Sequence, residues 1–291
     1  MIRPLLLALA LAPGAAPAEA RLDLDARVIW SETDPAFGGF SAIELHDGGE
    51  TFTAVSDRGH WAKGALVRQD GRLTAVTLTA LGPLLGVEGR PLDGEDVDAE
   101  GLAVDAEGRF YVSFEAFHRI RRYDAIDARP EAVPRNPDFR RLQANSGLEA
   151  LAIDADGTLY AIPERSGAEA RPFPVHRLRD DAWDRSLRLP RSGTFLVAGA
   201  DFGPDGRLYL LERDFKWLGG FATRIRRFAL DEGGFDAGET LLETDFGSPD
   251  NFEGVSVWRD AEGATRVTLI ADDNFFPLQS TVIAEYRLVE G

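Results

Sequence analysis

The chain has 291 residues, 44% of them hydrophobic and 28% charged, which suits one or two folded domains with a substantial core. Its formal net charge of −17 argues against nucleic acid and anionic membranes as partners, because both require a basic surface. The sequence contains no cysteine, which excludes disulfides, thiolate metal sites and a cysteine nucleophile.

The first twenty residues have the pattern of a secretory signal peptide. One positive charge precedes a short apolar run, and Ala18-Glu-Ala20 supplies an Ala-x-Ala cleavage site. No later run approaches the roughly 20 apolar residues of a transmembrane helix. We therefore expect cleavage near Ala20 and export of residues 21–291, as a single domain without a membrane span, to the periplasm or the exterior.

From residue 21 onwards, short apolar strands alternate with turns, and one hairpin pattern recurs. In residues 98–115 and 146–164, an acidic residue opens an apolar strand, an Asp-Ala-x-Gly turn follows, and an acidic residue closes the second strand. Within the first of these turns, Asp105 and Glu107 are interpreted as turn chemistry alone.

Three weaker copies complete a series of five hairpin units. The units open at Ser41, Glu100, Glu149, Ala198 and Glu253, which places successive openings 49 to 59 residues apart. This period, with about four strands per unit, predicts a β-propeller. A β-sandwich would also supply many short strands, but it gives no reason for a recurring sequence.

The strands outside the five units suggest how the ring closes. A strand over residues 22–30 precedes the first unit, whereas the fifth unit ends one strand short, near Leu288. We therefore expect an all-β propeller of five blades, in which the N-terminal strand completes the last blade. Six blades is the alternative.

Carboxylates at the two ends of each hairpin unit should gather at one mouth of the central channel, because these ends lie side by side. The candidate metal ligands are Asp57, Glu100, Glu115, Glu149, Glu164, Glu212, Asp272 and Asp273. The candidate catalytic residues are Glu100, Glu149 and Glu253, and the candidate substrate-binding residues are Arg58, Arg165 and Arg213.

Such a ring repels itself unless raised pKa values, arginine partners or bound cations relieve the repulsion. An all-oxygen ligand set suits Ca²⁺, with Mg²⁺ or Mn²⁺ as alternatives, and no organic cofactor is indicated. The competing interpretation is structural, since acidic residues at strand ends commonly cap turns by accepting backbone amides.

Other side chains offer fewer leads. The chain has no Gly-x-Ser-x-Gly motif that would supply a serine nucleophile. The aromatic residues Trp61, Trp217 and Trp258 are expected to pack between blades rather than to bind a ligand.

Motifs spread over the whole mature chain point to a family. They are Phe37-Gly-Gly-Phe-Ser-Ala-Ile43, Ser56-Asp-Arg-Gly59, Asp98-Ala-Glu-Gly-Leu102, Gly147-Leu-Glu-Ala-Leu151, the run from Gly199 to Asp214, Asn251-Phe-Glu-Gly-Val255, and Asp272-Asp-Asn-Phe275 with Gln279-Ser-Thr281. As an ordered set they resemble the phytase-like family of bacterial exported proteins, often labelled "esterase-like activity of phytase".

The resemblance implies a secreted propeller that hydrolyses phosphate or other esters of small molecules. β-Propeller phytases hold several Ca²⁺ ions at an acidic channel mouth, and the predicted carboxylate ring is similar in kind. Two other functions stay open. One is a metal-dependent lactonase, because the Glu-Gly opening is similar to that of gluconolactonase-like propellers. The other is a non-catalytic envelope propeller that binds a partner. We expect a monomer.

Overall fold

A computed structural model describes residues 19–143, 146–248, 250–276 and 278–291. The predicted signal peptide lies almost entirely outside these residues. Within the described part, strands predominate and the helical segments are two 3₁₀ helices, Gly94–Asp96 and Pro137–Arg141. None of the helical segments found there is long and apolar enough to cross a membrane.

The first strand and two complete four-stranded blades occupy the N-terminal part of the chain. Strand β1 spans Arg21–Ile29. Blade 1 comprises β2 (Phe40–His46), β3 (Thr51–Ser56), β4 (His60–Gln69) and β5 (Arg72–Pro83). Blade 2 comprises β6 (Ala99–Val104), β7 (Phe110–Phe114), β8 (Arg119–Tyr123) and β9 (Glu131–Ala132).

Three more blades follow, two of them with a small accessory sheet. Blade 3 and its accessory pair comprise β10 (Ala150–Ile153), β11 (Leu159–Ile162), β12 (Phe173–Pro174), β13 (His176–Arg179), β14 (Ala182–Asp184) and β15 (Arg188–Leu189), of which β12 and β15 form the pair. Blade 4 and its pair comprise β16 (Leu196–Phe202), β17 (Leu208–Lys216), β18 (Gly220–Phe228), β19 (Leu230–Asp231), β20 (Gly234–Phe235) and β21 (Glu239–Glu243), of which β19 and β20 form the pair. Blade 5 comprises β22 (Asn251–Arg259), β23 (Thr265–Asp272) and β24 (Val282–Val289), with β1 as its fourth strand.

The blades form a closed ring of five. In each blade the first strand is innermost, and β2, β6, β10, β16 and β22 contact one another in turn around the channel. Strand β1 pairs antiparallel with β24, from Arg21 opposite Val289 to Ile29 opposite Val282. This confirms the predicted five-bladed propeller and its closure by the N-terminal strand, and it rules out the six-bladed alternative.

The core is divided into five apolar clusters, one between each pair of neighbouring blades. Trp61 is buried in the cluster between blades 1 and 2, as predicted. Trp217 contradicts the prediction, because 87% of its surface is exposed at the turn between β17 and β18. Trp258 is half-buried and packs against the guanidinium of Arg68, 5.2 Å from the ring centroid.

A β-bulge near the start of four of the inner strands turns the opening residue out of the hydrogen-bonded ladder. The glycine after the opening residue is required by the close approach of the next blade. A Cβ on Gly254 would lie 2.8 Å from the Cα of Ala42, and one on Gly199 would lie 2.7 Å from the carbonyl oxygen of Glu253. The Glu-Gly motif thus combines a channel-facing carboxylate with tight contact between inner strands.

Candidate functional site

Carboxylates from four of the five blades converge at one mouth of the channel, which we call the acidic mouth. Its members are Asp57, Asp98, Glu100, Glu115, Glu149, Glu164, Glu253, Asp272 and Asp273. The small cavity beneath the mouth is lined by Ser41, Glu149, Ala198 and Glu253, all of which occupy predicted opening positions. The structure therefore places opening and closing residues at the same end, as the hairpin argument requires.

Blade 2 contributes the tightest group of the acidic mouth. One carboxylate oxygen each from Asp98, Glu100 and Glu115 lie within 4.8 Å of one another. Sequence reasoning did not select Asp98. The sequence did carry a signal for it, because Asp98 begins the predicted hairpin of residues 98–115. In the structure, the backbone N–H of Glu115 donates to the carbonyl of Asp98 at 2.8 Å and so pairs the two ends of that hairpin.

The inner glutamates share an environment that opposes ionisation. Burial raises the pKa of Glu100 well above its ordinary value, and repulsion from Glu149 and Glu253 raises it further. Burial likewise raises the pKa of Glu149, against the opposing effect of Arg213. Burial also raises the pKa of Glu115, although this carboxylate accepts a hydrogen bond from the Gly147 amide.

Blades 1 and 5 add two carboxylates of raised pKa. Burial, followed by repulsion from Glu253, raises the pKa of Asp57 to about 7 and that of Asp272 to about 8. Oδ1 of Asp57 is buried and has no hydrogen-bond partner in the described part of the chain. An ionised carboxylate oxygen in that position needs a cation, a proton or water, because burying it unpaired is costly.

Blade 4 supplies a half-buried arginine where the other blades supply acids. Arg213 donates to Asn251 Oδ1 at 2.9 Å, pairs with Glu253, and lies 3.9 Å from Glu164. Burial acts to lower its pKa, but Glu253 and Glu149 outweigh that effect and raise it above the ordinary value. Neither the central position of Arg213 nor the contact with Asn251 was expected from the sequence.

Glu212 does not lie with the other carboxylates, which corrects its predicted placement. Arg213 pairs with Leu196 one step beyond the bulge, as Asp272 pairs with Asn251 in blade 5, so Arg213 holds the closing position. Adjacent residues of a strand face opposite ways, and a one-residue offset therefore removes Glu212 from the mouth.

The carboxylate of Glu212 instead forms a fully buried ion triad within blade 4. It accepts from Arg224 Nε at 2.9 Å and from Arg226 Nε at 2.7 Å. With both oxygens engaged by guanidinium groups, Glu212 serves the structure of the blade and is left out of the candidate metal site.

Asp273 fits the structural alternative considered for the ring. Its Oδ1 accepts the backbone N–H groups of Gly39 at 3.1 Å and Phe275 at 3.0 Å. Such bonds are those of a cap that fixes the loop after β23. Asp273 therefore offers fewer free lone pairs to an ion than Asp57 or Glu100 does.

The remaining two arginines lie on the rim. Arg58 is exposed and stacks on Phe275, with its guanidinium carbon 3.1 Å from the ring centroid. Arg165 is exposed and donates to Glu164 and Ser146 at 2.9 Å. Both guanidinium groups can therefore reach an anion that approaches the mouth from solvent.

A second carboxylate pair lies on the inner strands below the mouth. Burial raises the pKa of Glu44 well above its ordinary value and, secondarily, Asp201 raises it further. Burial also raises the pKa of Asp201 to about 7, although it accepts the Val257 amide at 2.6 Å. Glu44 and Asp201 hold equivalent positions, because each stands three residues after the opening residue of its unit, Ser41 or Ala198. Aligning the units on their openings therefore places the two carboxylates at the same level of the channel, although this pair was not predicted.

Comparison with known proteins supports the fold and the family. A sequence model of the phytase-like family, described as esterase-like activity of phytase, matches residues 35–275. The chain therefore belongs to that family, and the resemblance seen in the motifs is confirmed. The comparison with curated proteins gives no match.

Solved structures of similar shape are propellers of distant sequence. The PQQ-bound aldose sugar dehydrogenase of Streptomyces coelicolor has a TM-score of 0.53 at 15% identity, covering 94% of this chain and 100% of the dehydrogenase. A protein provisionally described as a gluconolactonase has a TM-score of 0.46 at 14% identity, covering 94% of this chain and 96% of its own. At these identities the similarity concerns the fold alone.

Proposed function

We propose that the protein is an exported, divalent-metal-dependent hydrolase of phosphoesters or other esters, with its site at the acidic mouth. The observation that carries the proposal is the charge imbalance of the mouth, where nine carboxylates surround one half-buried arginine, Arg213, with Arg58 and Arg165 on the exposed rim. Structural carboxylates are normally matched by local donors, whereas these face one another across blades.

The donor set fits a hard divalent cation. Asp98, Glu100 and Glu115 would hold one ion through oxygen atoms, and the unpartnered oxygen of Asp57 offers a further ligand nearby. Oxygen-only coordination favours Ca²⁺, with Mg²⁺ or Mn²⁺ next. When bound, a divalent ion would supply Lewis-acid polarisation of an ester oxygen.

The residues of the chain would divide the remaining tasks. Arg58 and Arg165 would bind an anionic ester from the rim, since both guanidinium groups are exposed there. Glu149 lines the cavity, and its raised pKa makes it a stronger base than an ordinary carboxylate for accepting a proton from water. Arg213 would hold Glu253 in position through their ion pair.

The net charge of −17 is compatible with an anionic substrate only if the mouth is neutralised. A cation held by the carboxylates would reverse the local field and allow a phosphate group to approach. A lactone or carboxylic ester carries no such requirement. The Glu-Gly bulges at Glu100 and Glu253 favour a metal-dependent lactonase as the second candidate, and a non-catalytic binding propeller is the third.

Thermal melting with and without metal tests the proposal first. At 100 times the dissociation constant, a specific ion stabilises the fold by about 2.7 kcal/mol, which corresponds to roughly 5–10 °C for a protein of this size. We expect that shift with Ca²⁺ relative to EDTA. The absence of a shift with Ca²⁺, Mn²⁺ and Mg²⁺ would reject both metal-enzyme candidates.

Hydrolysis of p-nitrophenyl phosphate, phytate and a simple lactone then separates the two enzymes. The double variant Glu100→Gln with Glu149→Gln should lose activity by roughly 100-fold or more, because it removes metal and proton-accepting groups together. The matched control is Glu107→Gln with Glu131→Gln, which makes the same chemical change at exposed positions. Loss of folding in the first variant alone would support the structural interpretation of the glutamates.

A further inference from the structure

Large apolar side chains are exposed at the tips of three loops that rise from the acidic mouth. These apolar tips are Phe117 in blade 2, Phe215, Trp217 and Leu218 in blade 4, and Phe276 and Leu278 in blade 5. Each tip lies in the connection between the second and third strands of its blade, except that Phe215 lies at the end of β17 next to that connection. Blades 1 and 3 carry Arg58 and Arg165 in the corresponding connections instead.

The position of the tips follows from the strands that lead to them. Strand β17 passes the mouth at Arg213 and continues to Lys216, so the turn beyond it stands about 13 Å further out at 3.3 Å per residue. Phe117 follows the site residue Glu115 by two positions. The tips therefore border the same opening into which the site carboxylates point.

The blade 4 tip is stabilised by backbone pairing and ring contacts, although its apolar side chains are exposed. The strands stay paired to the last step, Lys216 opposite Gly220, and the rings of Phe215 and Phe221 lie 4.9 Å apart. Lys216 Nζ lies 3.6 Å from the centroid of Phe246. Trp217 and Leu218 are thus held in solvent at 87% and 97% exposure, an arrangement that costs free energy unless a ligand covers them.

The net charge of the protein limits which ligand can cover the apolar tips. An anionic bilayer would be repelled by a protein of net charge −17, and a second copy would bring two acidic mouths together. A small amphiphile avoids both problems, because its polar head can lie at the mouth while its hydrocarbon part covers the tips. We propose that the apolar tips bind the hydrocarbon part of an amphiphilic ester whose head group lies at the acidic mouth.

This inference rests on the proposed function and specifies its substrate class. The blade 4 tip would set the preference for long over short hydrocarbon chains. The rim arginines on blades 1 and 3 would face the anionic head, so that polar and apolar parts of one ligand contact different blades. An ester without a hydrocarbon chain would use the mouth alone.

Non-hydrolysable phosphonates measure this preference directly. Octylphosphonate and methylphosphonate share one head group, and both are titrated calorimetrically with Ca²⁺ present, below the micelle concentration. Octylphosphonate should bind about tenfold more tightly, a difference that burial of two methylene groups is enough to produce. It should also shift the tryptophan emission to shorter wavelength, since Trp217 would leave water.

Paired variants assign the effect to the tip. In Trp217→Ser with Leu218→Ser, the preference for octylphosphonate should fall below about threefold. Leu24→Ser removes another exposed apolar side chain, on the outer strand β1, and should leave the tenfold preference intact. Equal affinity of the unaltered protein for the two phosphonates overturns the inference.

The same preparations separate this inference from the proposed function. Metal-dependent hydrolysis of p-nitrophenyl phosphate without a chain-length preference rejects only the amphiphile. A retained preference for octylphosphonate without metal response or hydrolysis rejects only the enzyme. A tip-dependent dimer in light scattering, or tip-dependent sedimentation with phosphatidylcholine vesicles, would assign the tips to a second copy or a membrane and overturn the inference.

Discussion

Carboxylates lie at both ends of the blades, but the groups that interact with them differ between the two ends. At the end away from the mouth, Asp105 accepts the amides of Glu107 and Arg109 at 3.1 and 2.9 Å and the Arg109 Nε at 2.7 Å. Asp154 and Asp260 are satisfied in the same manner by their own turns.

At the acidic mouth, by contrast, the carboxylates depend on other blades. Glu100 is repelled by Glu149 and Glu253, and Arg213 links groups from three blades. An aspartate satisfied by its own turn closes a hairpin and is chemically quiet. A carboxylate that faces its counterparts across a channel stores repulsion, which protons or metal ions can relieve.

The largest expected effect on stability comes from removing the guanidinium group of Arg213, which these blades share. Arg213→Ala should lower the free energy of unfolding by about 3–5 kcal/mol, because it leaves buried carboxylates unpaired. Arg109→Ala, at the turn end, removes a partly exposed pair and should cost under about 1 kcal/mol. Urea unfolding of both variants measures the contrast, and equal losses would show that the mouth is no more interdependent than a turn.

Replacing a glycine by alanine should cost different amounts of stability at the two ends, for a steric reason. Gly254→Ala places a Cβ against Ala42 and the backbone of Ile43, so we expect a loss of about 3 kcal/mol from overpacking. Gly108→Ala meets no atom within 4 Å and carries only the strain of its positive φ, about 1 kcal/mol. Thermal and urea unfolding compare the two, and a larger loss for Gly108→Ala would contradict the close packing of inner strands.

Removing one negative charge should change the free energy of unfolding in opposite directions at the two ends. In metal-free protein at pH 8.5, Asp57→Asn should raise the free energy of unfolding by about 1 kcal/mol, because it removes the charge from a carboxylate whose buried Oδ1 accepts no hydrogen bond from the described residues. Asp105→Asn should lower it by about 2 kcal/mol, since it weakens bonds from Arg109. Destabilisation by both variants would mean that Asp57 is already neutralised within the fold.

The pKa values of the mouth predict a modest dependence of stability on pH. The folded-state pKa values of Asp57, about 7, and Asp272, about 8, exceed the unfolded value near 3.9, so the folded state binds more protons in this window. Metal-free stability should therefore fall as pH rises from 5.5 and level off above pH 8, with a decrease in melting temperature of roughly 10 °C. Saturating Ca²⁺ should flatten the profile, because the ion replaces the protons.

Much of this architecture was predictable because repeated units can be recognised from the similarity of their sequences. The five units and the convergence of Glu100 with Glu149 follow from aligning the hairpins. The closure follows from the strand predicted over residues 22–30, which is left over before the first unit and which the structure shows as Arg21–Ile29.

The wrong placement of Glu212 followed residue type rather than spacing. Glu115, Glu164 and Arg213 each stand 15 residues after the opening residue of their unit, so the alignment already assigns the closing position of blade 4 to Arg213, and the observed register agrees.

Features that depend on contacts between units were beyond the sequence. The pairing of Arg213 with Glu253 joins residues 40 positions apart in neighbouring blades, and no local pattern encodes it. Trp217 was misassigned because a tryptophan near a strand usually packs inside, whereas here its strand extends past the last neighbour that could cover it.

The pairing of β1 with β24 also orders events during biosynthesis. The strand that begins at Arg21 finds its partner only when residues 282–289 have been made, so the ring stays open until the whole chain is available. Until then, β1 and β23 each have an unpaired edge, and the acidic mouth has no fixed circumference. For a chain exported as proposed, such late closure would keep it loose enough to be threaded through a translocation channel before it locks.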